Sequence, residues 1–326
     1  MAHPSTRLVQ TSAPGKFVLS GEYAVLLGAP ALVAAVDRYA KCSLEIRRID
    51  NWSIRSQPPF WNADFTLESL KETTPRDRVA YALQCLSRVV ELPEHARLAM
   101  DTRSLFQFGK KIGMGSSAAT LVSLYVAICV LGNLEHTIEG ALDLHSQVRG
   151  SGSGLDVAAS YHGGVIEFRE RHARPIQLPH GLELKVFYAG ASTSTSDRVV
   201  AFRSWIASQP ASTVDRFCTA SEGVVESTGS AGEFLDALRY FVEVQELIDN
   251  GSGLGIWGPQ HRAMKSLANR EGVLYKPSGA GGGDIGLAVS VNKEILERLE
   301  VDAERIGLRA LDTSLVEQGV TVEMAS

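Results

Sequence analysis

The stretch GMGSSAATLVSLYVAICVL, residues 113–131, joins a glycine-rich turn directly to a long apolar run. A helix that is apolar on all sides belongs in a protein interior, so residues 116–131 are predicted to form a central helix. The unpaired N–H groups and the positive dipole end of such a helix attract anions. Ser116 and Ser117 add hydroxyl groups that could bond phosphate or complete a magnesium shell. The segment predicts a phosphate site, although a simple helix cap by Ser116 would explain the same residues.

Two further glycine segments, APGK at residues 13–16 and SGAGGGD at residues 278–284, lie far from the first along the chain. Glycine lets backbone amides approach a polyphosphate without a Cβ in the way. A fourth run, GSGLDVAA at residues 152–159, places Asp156 before an apolar stretch. Each segment also has a purely structural interpretation: Lys16 as a solvated surface lysine, Asp156 as a helix-start carboxylate, Asp284 as a turn residue and Glu22 as a buried structural partner.

The GMGSSA run also fits the GxGxxA pattern of dinucleotide-binding turns. Residues 103–111 before it lack the pattern of a buried parallel strand, and Glu135, about 20 residues further on, does not end one. No Gly-Lys-Ser/Thr closes the segment, so it is not a Walker A loop either. A nicotinamide-dependent oxidoreductase is therefore disfavoured.

The composition limits the kind of protein. At 326 residues and 44% hydrophobic, the chain can bury a large core and is long enough for two domains, which we expect at residues 1–190 and 191–326. The net charge of −5 argues against binding to nucleic acid or to an anionic membrane. The four cysteines form no CxxC pair, which is typical of reduced thiols in a cytoplasmic protein. We expect a cytoplasmic monomer or homodimer that binds neither nucleic acid nor membranes.

Together, the three glycine segments resemble the three motifs of the GHMP kinases, the galactokinase, homoserine kinase, mevalonate kinase and phosphomevalonate kinase superfamily. Motif one corresponds to residues 13–16, motif two to residues 113–119 and motif three to residues 278–283. The resemblance spans nearly the whole chain. It implies an α+β, two-domain GHMP kinase fold, in which an N-terminal α/β domain carries the phosphate loop and a ferredoxin-like C-terminal domain carries motif three. Substrate would lie between the two domains.

Within the superfamily, GEYA at residues 21–24 and the GSGLDVAA run resemble the phosphomevalonate kinase branch. Mevalonate kinases usually have Glu-His at the first place and a magnesium-binding Glu eleven residues ahead of Asp156, where this sequence has His145. The resemblance implies ATP-dependent phosphorylation of (R)-5-phosphomevalonate to the 5-diphosphate, in the mevalonate route to isoprenoids. The alternatives are mevalonate kinase or another small-molecule GHMP kinase, and a catalytically inactive GHMP-fold regulator that only binds a ligand.

The resemblance also implies roles for individual residues. Lys16 and Asp156 are expected to be catalytic, with Lys16 neutralising charge and Asp156 orienting Lys16 or the acceptor more than acting as a base. Mg²⁺ is expected to enter with the co-substrate ATP and to bind Ser117. The residues expected to hold ATP are Lys111, Gly113, Met114, Gly115, Ser116, Ser117 and Ala118. Those expected to hold the small phosphorylated acceptor are Lys16, Tyr23, Ser194, Ser196, Ser278, Gly279 and Ala280. The adenine is expected against residues 51–65, where Trp52, Phe60 and Trp61 either form an apolar wall or belong to the core.

Overall fold

The computed structural model describes residues 7–46, 51–58, 61–107, 109–150, 152–190 and 195–325. In these ranges the chain forms fourteen strands: β1 Leu8–Ser20, β2 Ala31–Ile46, β3 Trp52–Gln57, β4 Trp61–Phe65, β5 Ala96–Asp101, β6 Phe106–Gln107, β7 Lys110–Lys111, β8 Val165–Arg169, β9 His172–Ile176, β10 Glu183–Tyr188, β11 Leu274–Ser278, β12 Ile285–Ser290, β13 Arg309–Leu311 and β14 Thr321–Ala325. The same ranges contain nine α-helices: α1 Arg78–Leu86, α2 Ser116–Leu131, α3 Ile138–Arg149, α4 Leu155–His162, α5 Thr195–Ile206, α6 Ala211–Glu226, α7 Ala231–Ser252, α8 Pro259–Arg270 and α9 Lys293–Arg305. This mixture of helices and sheets confirms the predicted α+β class.

The larger sheet has the strand order β14-β1-β2-β5-β3-β4, and β8 joins it through β2 and carries β9. All its neighbouring strands are antiparallel except β3 and β5. Helix α2 packs against β1 and β2, and α4 packs against β1. The predicted central helix is confirmed, because α2 spans residues 116–131 and its side chains are buried over most of its length. Its N-terminus is thereby fixed beside the start of the chain.

The smaller sheet has the order β11-β12-β10-β13, and its pairings are antiparallel. Helices α8 and α9 cover it. Its strand β10 comes before the predicted boundary at residue 190, while β14, at the other end of the chain, pairs with β1. A strand belongs to the sheet that satisfies its backbone hydrogen bonds, whatever its place in the sequence. We propose that the second domain begins with β10 and that the chain returns to the first domain at β14.

The helix predicted over residues 74–90 is shorter in the structure, where α1 spans Arg78–Leu86. After the last residue of α1, the N–H groups of Arg88 and Val89 bond to carbonyls three residues back, so the helix ends in a tight turn. Arg78 is the first residue of α1. No helix among the described residues has both the length and the apolar character needed to cross a membrane.

Candidate active site

A cleft of about 500 Å³ is lined by residues of both sheets and of helices α1 to α5. It brings together most of the predicted site residues: Lys16, Tyr23, Lys111, Gly113, Gly115, Ser116, Ser117, Asp156, Ser196, Ser278, Gly279 and Ala280. Met114 and Ala118 do not line it, since their side chains are buried in the core. Only their backbone atoms can contribute to a ligand site. Ser194 lies outside the described residues.

The phosphate loop ends at the first turn of α2. Gly115 occupies the N-cap position with φ 75°, and no side chain caps the helix. Ser116 is therefore the first helical residue and not the cap, and the first amides of α2 remain available to an anion. Gly113 has φ 80°, and a Cβ added to it would lie 2.5 Å from the Cβ of Asp284. Only glycine fits there, so motif two packs directly against the end of motif three.

Lys16 connects all three glycine motifs. Its backbone N–H donates to the carbonyl of Met114 at 3.0 Å. A Cβ added to Gly115 would lie 3.0 Å from its Cγ, and one added to Gly279 would lie 3.8 Å from its Nζ. The side chain thus runs across motif two and ends beside motif three. Lys16 is only 7% exposed, so it is not a solvated surface lysine.

Asp156 lies in the first turn of α4, on the wall of the same cleft. Its Oδ1 accepts a hydrogen bond from the N–H of Val157 at 3.1 Å. Among the described residues, neither Asp156 nor Lys16 forms an ion pair. Both side chains line the cleft, where they are available to a ligand.

The carbonyl of Ala280, in motif three, is held from two sides. The hydroxyl of Tyr23 and the Nη1 of Arg198 each donate a hydrogen bond to it at 2.7 Å. Arg198, in α5, also donates from Nη2 to the carbonyl of Gly255 at 3.3 Å. Tyr23 adopts φ 62°, a strained conformation for a bulky residue, and burial raises the pKa of its hydroxyl. Tyr23 also lines the cleft, so its expected contact with the acceptor stays a prediction. Arg198 was missed by sequence reasoning.

Ser278 also bonds to the protein itself. Its Oγ accepts from the N–H of Val18 at 2.8 Å and donates to the carbonyl of Val18 at 3.0 Å. The side chain is buried and bridges β11 to β1. Its hydroxyl therefore fixes motif three to the first strand, and Gly279 and Ser196 are better exposed to a ligand.

A buried ion pair lies directly behind these strands. Lys276 donates to Glu22 Oε1, to the carbonyl of Pro277 at 2.7 Å and to the carbonyl of Val18 at 3.4 Å. Burial lowers the pKa of Lys276 and raises that of Glu22, and each charge partly offsets the other's shift. Three acceptors match the three N–H groups of an ammonium, so we assign the pair as ionised. This agrees with the interpretation of Glu22 as a buried structural partner.

Three cationic side chains form one wall of the cleft: Arg78 from α1, Lys111 from β7 and Arg149 from α3. The Nη1 of Arg149 lies 3.4 Å from the Oγ of Ser117. The pKa of Lys111 is lowered, first by burial and then by the positive charges of the two arginines. None of the three forms an ion pair within the ranges that the structure describes. Sequence reasoning found Lys111 but missed both arginines.

His145 lies one turn before Arg149 in α3 and also lines the cleft. It is nearly buried, and its pKa is lowered mainly by that burial. The charge of Asp156 opposes this shift, while the charges of Arg149 and Arg78 add to it. His145 is therefore neutral at pH 7 and adds no charge of its own to the wall.

The described residues contain no group of three or more histidine, cysteine or carboxylate side chains that could hold a metal ion. Magnesium binds oxygen and is usually held by one or two carboxylates together with substrate phosphates and water. Ser117 and Asp156 supply such oxygens on the cleft wall. The residues thus fit a magnesium ion that arrives with the phosphates of a nucleotide, and they do not form a dedicated metal cage.

The expected adenine wall at residues 51–65 is not part of this cleft, because none of its described residues lines it. Trp52 is fully buried, stacks on Phe65 at 5.9 Å and donates from Nε1 to the carbonyl of Pro93 at 2.8 Å. Trp61 packs against the core. Trp52 is thus a core residue, Trp61 is a partly buried neighbour of the core, and Phe60 lies outside the described residues. Short apolar runs do not distinguish a ligand wall from a core strand.

Known proteins resemble this chain in sequence and in structure. Residues 80–164 match the family model of the GHMP kinases N terminal domain. The chain is 28% identical to a phosphomevalonate kinase of Streptomyces sp. (strain CL190), over 87% of this chain and 90% of that protein. It is 25% identical to the mevalonate kinase of Archaeoglobus fulgidus, over 91% of this chain and 98% of that protein. The structure of the Streptococcus pneumoniae phosphomevalonate kinase in complex with phosphomevalonate and AMPPNP superposes with a TM-score of 0.79 at 20% identity, over 94% of this chain and 99% of that one.

Residues 80–164 thus match the GHMP kinases N terminal domain, and the chain as a whole has the fold of a solved phosphomevalonate kinase. The predicted GHMP kinase fold is therefore confirmed. The three glycine segments that suggested it lie around one cleft, as that fold requires.

Proposed function

We propose that this protein transfers the γ-phosphoryl group of ATP to (R)-5-phosphomevalonate and forms the 5-diphosphate, a step of the mevalonate route to isoprenoids. The charge of the cleft is the observation that carries this proposal. Four cationic side chains line it, and none of them forms an ion pair among the residues described: Lys16, Arg78, Lys111 and Arg149. The cleft also contains Asp156 and Asp284, while the charge of Glu22 is balanced by Lys276. This excess of positive charge suits two phosphate-bearing ligands better than ATP with a singly charged acceptor.

The relatives support the same metabolic route but divide over the acceptor. A phosphomevalonate kinase and a mevalonate kinase match this chain at similar identity and coverage. Mevalonate is therefore the second candidate acceptor, and the mevalonate kinase relatives are the observation that favours it. The positive wall of the cleft favours phosphomevalonate, because mevalonate carries no phosphate for the additional cations to bind.

A phosphate acceptor is anionic at neutral pH, so the reaction needs alignment and charge neutralisation more than proton removal. An acceptor phosphate oxygen would attack the γ-phosphorus of ATP, the bond between that phosphorus and its bridging oxygen would break, and ADP would leave. Lys16 reaches from motif two to motif three, so its ammonium can bridge the acceptor and the transferred group and stabilise charge in the transition state. Asp156, which lines the same cleft as Lys16, would orient the acceptor or Lys16.

The first amides of α2 and the loop at residues 113–117 would hold the triphosphate. Magnesium, when bound with ATP, would neutralise charge on the β- and γ-phosphates. The hydroxyl of Ser117, which lines the cleft, would help to hold that ion. On the acceptor side, Ser196 and the backbone of Gly279 are exposed to the ligand, while Tyr23 and Ser278 act by fixing motif three.

A coupled assay of ADP release tests the proposal, with mevalonate, 5-phosphomevalonate and homoserine supplied side by side at equal ATP. We expect turnover with 5-phosphomevalonate at least tenfold above that with the other two acceptors. Turnover with mevalonate and none with 5-phosphomevalonate would support the mevalonate alternative. ATP-dependent ligand binding without ADP release from any acceptor would support the non-catalytic regulator.

A further inference from the structure

We propose that Arg78 and Arg149 hold the phosphates of the nucleotide donor by direct hydrogen bonds. The inference rests on the proposed use of ATP. It does not depend on which acceptor is used. Neither residue belongs to a glycine motif, and each comes from a different helix end, the start of α1 and the last position of α3.

The position of Arg149 selects the donor over the acceptor. Its Nη1 lies 3.4 Å from the Oγ of Ser117, in the first turn of α2. That turn presents the amides expected to bind the donor phosphates. A guanidinium at this distance can reach an anion held by those amides, while the acceptor side of the cleft is formed by motif three and α5.

The charges of the wall indicate that it is incomplete without an anion. Burial is the main cause that lowers the pKa of Arg78 and of Lys111. The charge of Arg149 lowers both further, that of Arg78 lowers the pKa of Lys111, and the charge of Asp284 offsets part of the shift of Lys111. No ion pair relieves this repulsion among the described residues. A polyanion bound between the three side chains would offset their mutual repulsion.

The residue type fits phosphate as well. A guanidinium presents parallel N–H donors that match two phosphate oxygens, whereas an ammonium acts as a point charge. An arginine beside Lys111 therefore adds a preference for the geometry of a phosphate group to the attraction of its charge. The alternative is that Arg78 and Arg149 are solvated side chains at the rim of the cleft, with no contact to ligand.

Calorimetric titration with ADP in the presence of Mg²⁺ separates these alternatives without any acceptor. We expect Arg149→Gln and Arg78→Gln each to weaken ADP binding about 10- to 100-fold, as for loss of a charge-assisted hydrogen bond. The ADP affinity of Arg149→Lys should be intermediate, since lysine keeps the charge but lacks the parallel N–H donors of the guanidinium. The matched control is Arg88→Gln, which removes the same charge from an exposed position near α1 that does not line the cleft. It should bind ADP like the wild type.

ADP affinity within threefold of wild type in both glutamine variants would overturn the inference, as would an equal loss in Arg88→Gln. Circular dichroism checks that each variant is folded, and Arg149→Lys keeps the test open if a glutamine variant does not fold. A raised KM for the acceptor with unchanged ADP affinity would assign the arginines to the acceptor and also overturn it. Weakened ADP binding in a protein that does not phosphorylate 5-phosphomevalonate would support the inference and reject the proposed acceptor.

Discussion

Removing the charge of Lys276 should strongly destabilise the protein. The side chain is 0% exposed and that of its partner Glu22 is 2% exposed, so Lys276→Met leaves a carboxylate buried without its cation. Breaking a buried ion pair from one side costs about 3–5 kcal/mol, because the remaining charge is neither solvated nor paired. The free energy of unfolding of a typical domain is about 5–15 kcal/mol, so the variant should lose a large part of it.

The loss should depend on pH with a definite sign. Burial already raises the pKa of Glu22, and Lys276 lowers it, so removal of the lysine raises it further. A carboxyl whose pKa is higher in the folded state than in the unfolded chain favours folding at low pH. That contribution is lost as the pH rises through the folded-state pKa. The difference in stability between wild type and Lys276→Met should therefore be larger at pH 8 than at pH 6.

Urea unfolding of four proteins at both pH values measures the effect. Besides the wild type and Lys276→Met, these are the double variant Lys276→Met/Glu22→Gln and the control Lys185→Met. The double variant should recover at least about 1 kcal/mol, since no unpaired charge remains. The control breaks the partly exposed pair of Lys185 and Glu300, for which a loss of about 1 kcal/mol or less is expected. A loss below about 1 kcal/mol at pH 8 in Lys276→Met, or no recovery in the double variant, would refute the reasoning.

Three further predictions concern the cleft and the core. Lys16→Met should lower kcat about 10²- to 10³-fold or more at saturating ATP and 5-phosphomevalonate, and Asp156→Asn should lower it less; the reverse order, with an ionisation lost from the pH–rate profile, would identify a general base. Tyr23→Phe removes a bond to the motif-three loop and should cost about 1 kcal/mol of stability and raise KM for the acceptor more than for ATP, so an unchanged acceptor KM in steady-state kinetics contradicts the positioning role. His261 is fully buried and its pKa is lowered from 6.5 to about 4, so the unfolded chain binds the proton first and up to about 3 kcal/mol should be lost as the pH falls through this interval. Urea unfolding against pH should show a flatter acid limb for His261→Gln, but not for the exposed control His180→Gln.

The parts of the fold that could be predicted depend on local sequence. The helix over residues 116–131 has the predicted bounds because its apolar character persists on every side. The glycine segments could be recognised from the sequence because a positive φ or a close approach of the backbone requires glycine at that position itself. Gly113, for example, has a positive φ and almost no room for a Cβ. These signals are present in a few neighbouring residues, whatever the rest of the chain does.

The remaining features depend on contacts between distant residues. Strand β10 looks like a continuation of the first domain until its pairing with β12 is known. Trp52 has the composition of a ligand wall, yet it stacks inside the core. Arg78 has no local signal, and Arg149 differs from any surface arginine only in preceding a glycine-rich run. Both arginines reach the same cleft because α1 and α3 pack against each other and against α2.

The division of roles within the cleft follows from which groups are already bonded to protein. The hydroxyls of Tyr23 and Ser278 are engaged with backbone, so their replacement should act through the position of motif three. Lys16 and the wall arginines have no acidic partner among the described residues, so their replacement should act on ligands directly. Lys276 belongs to the first group, because it fixes β11 to the first strand from behind. Loss of Lys276 should therefore lower stability and turnover together, while ADP affinity stays close to that of the wild type. The variants of Arg78 and Arg149 should bind ADP more weakly, while their stability stays close to that of the wild type.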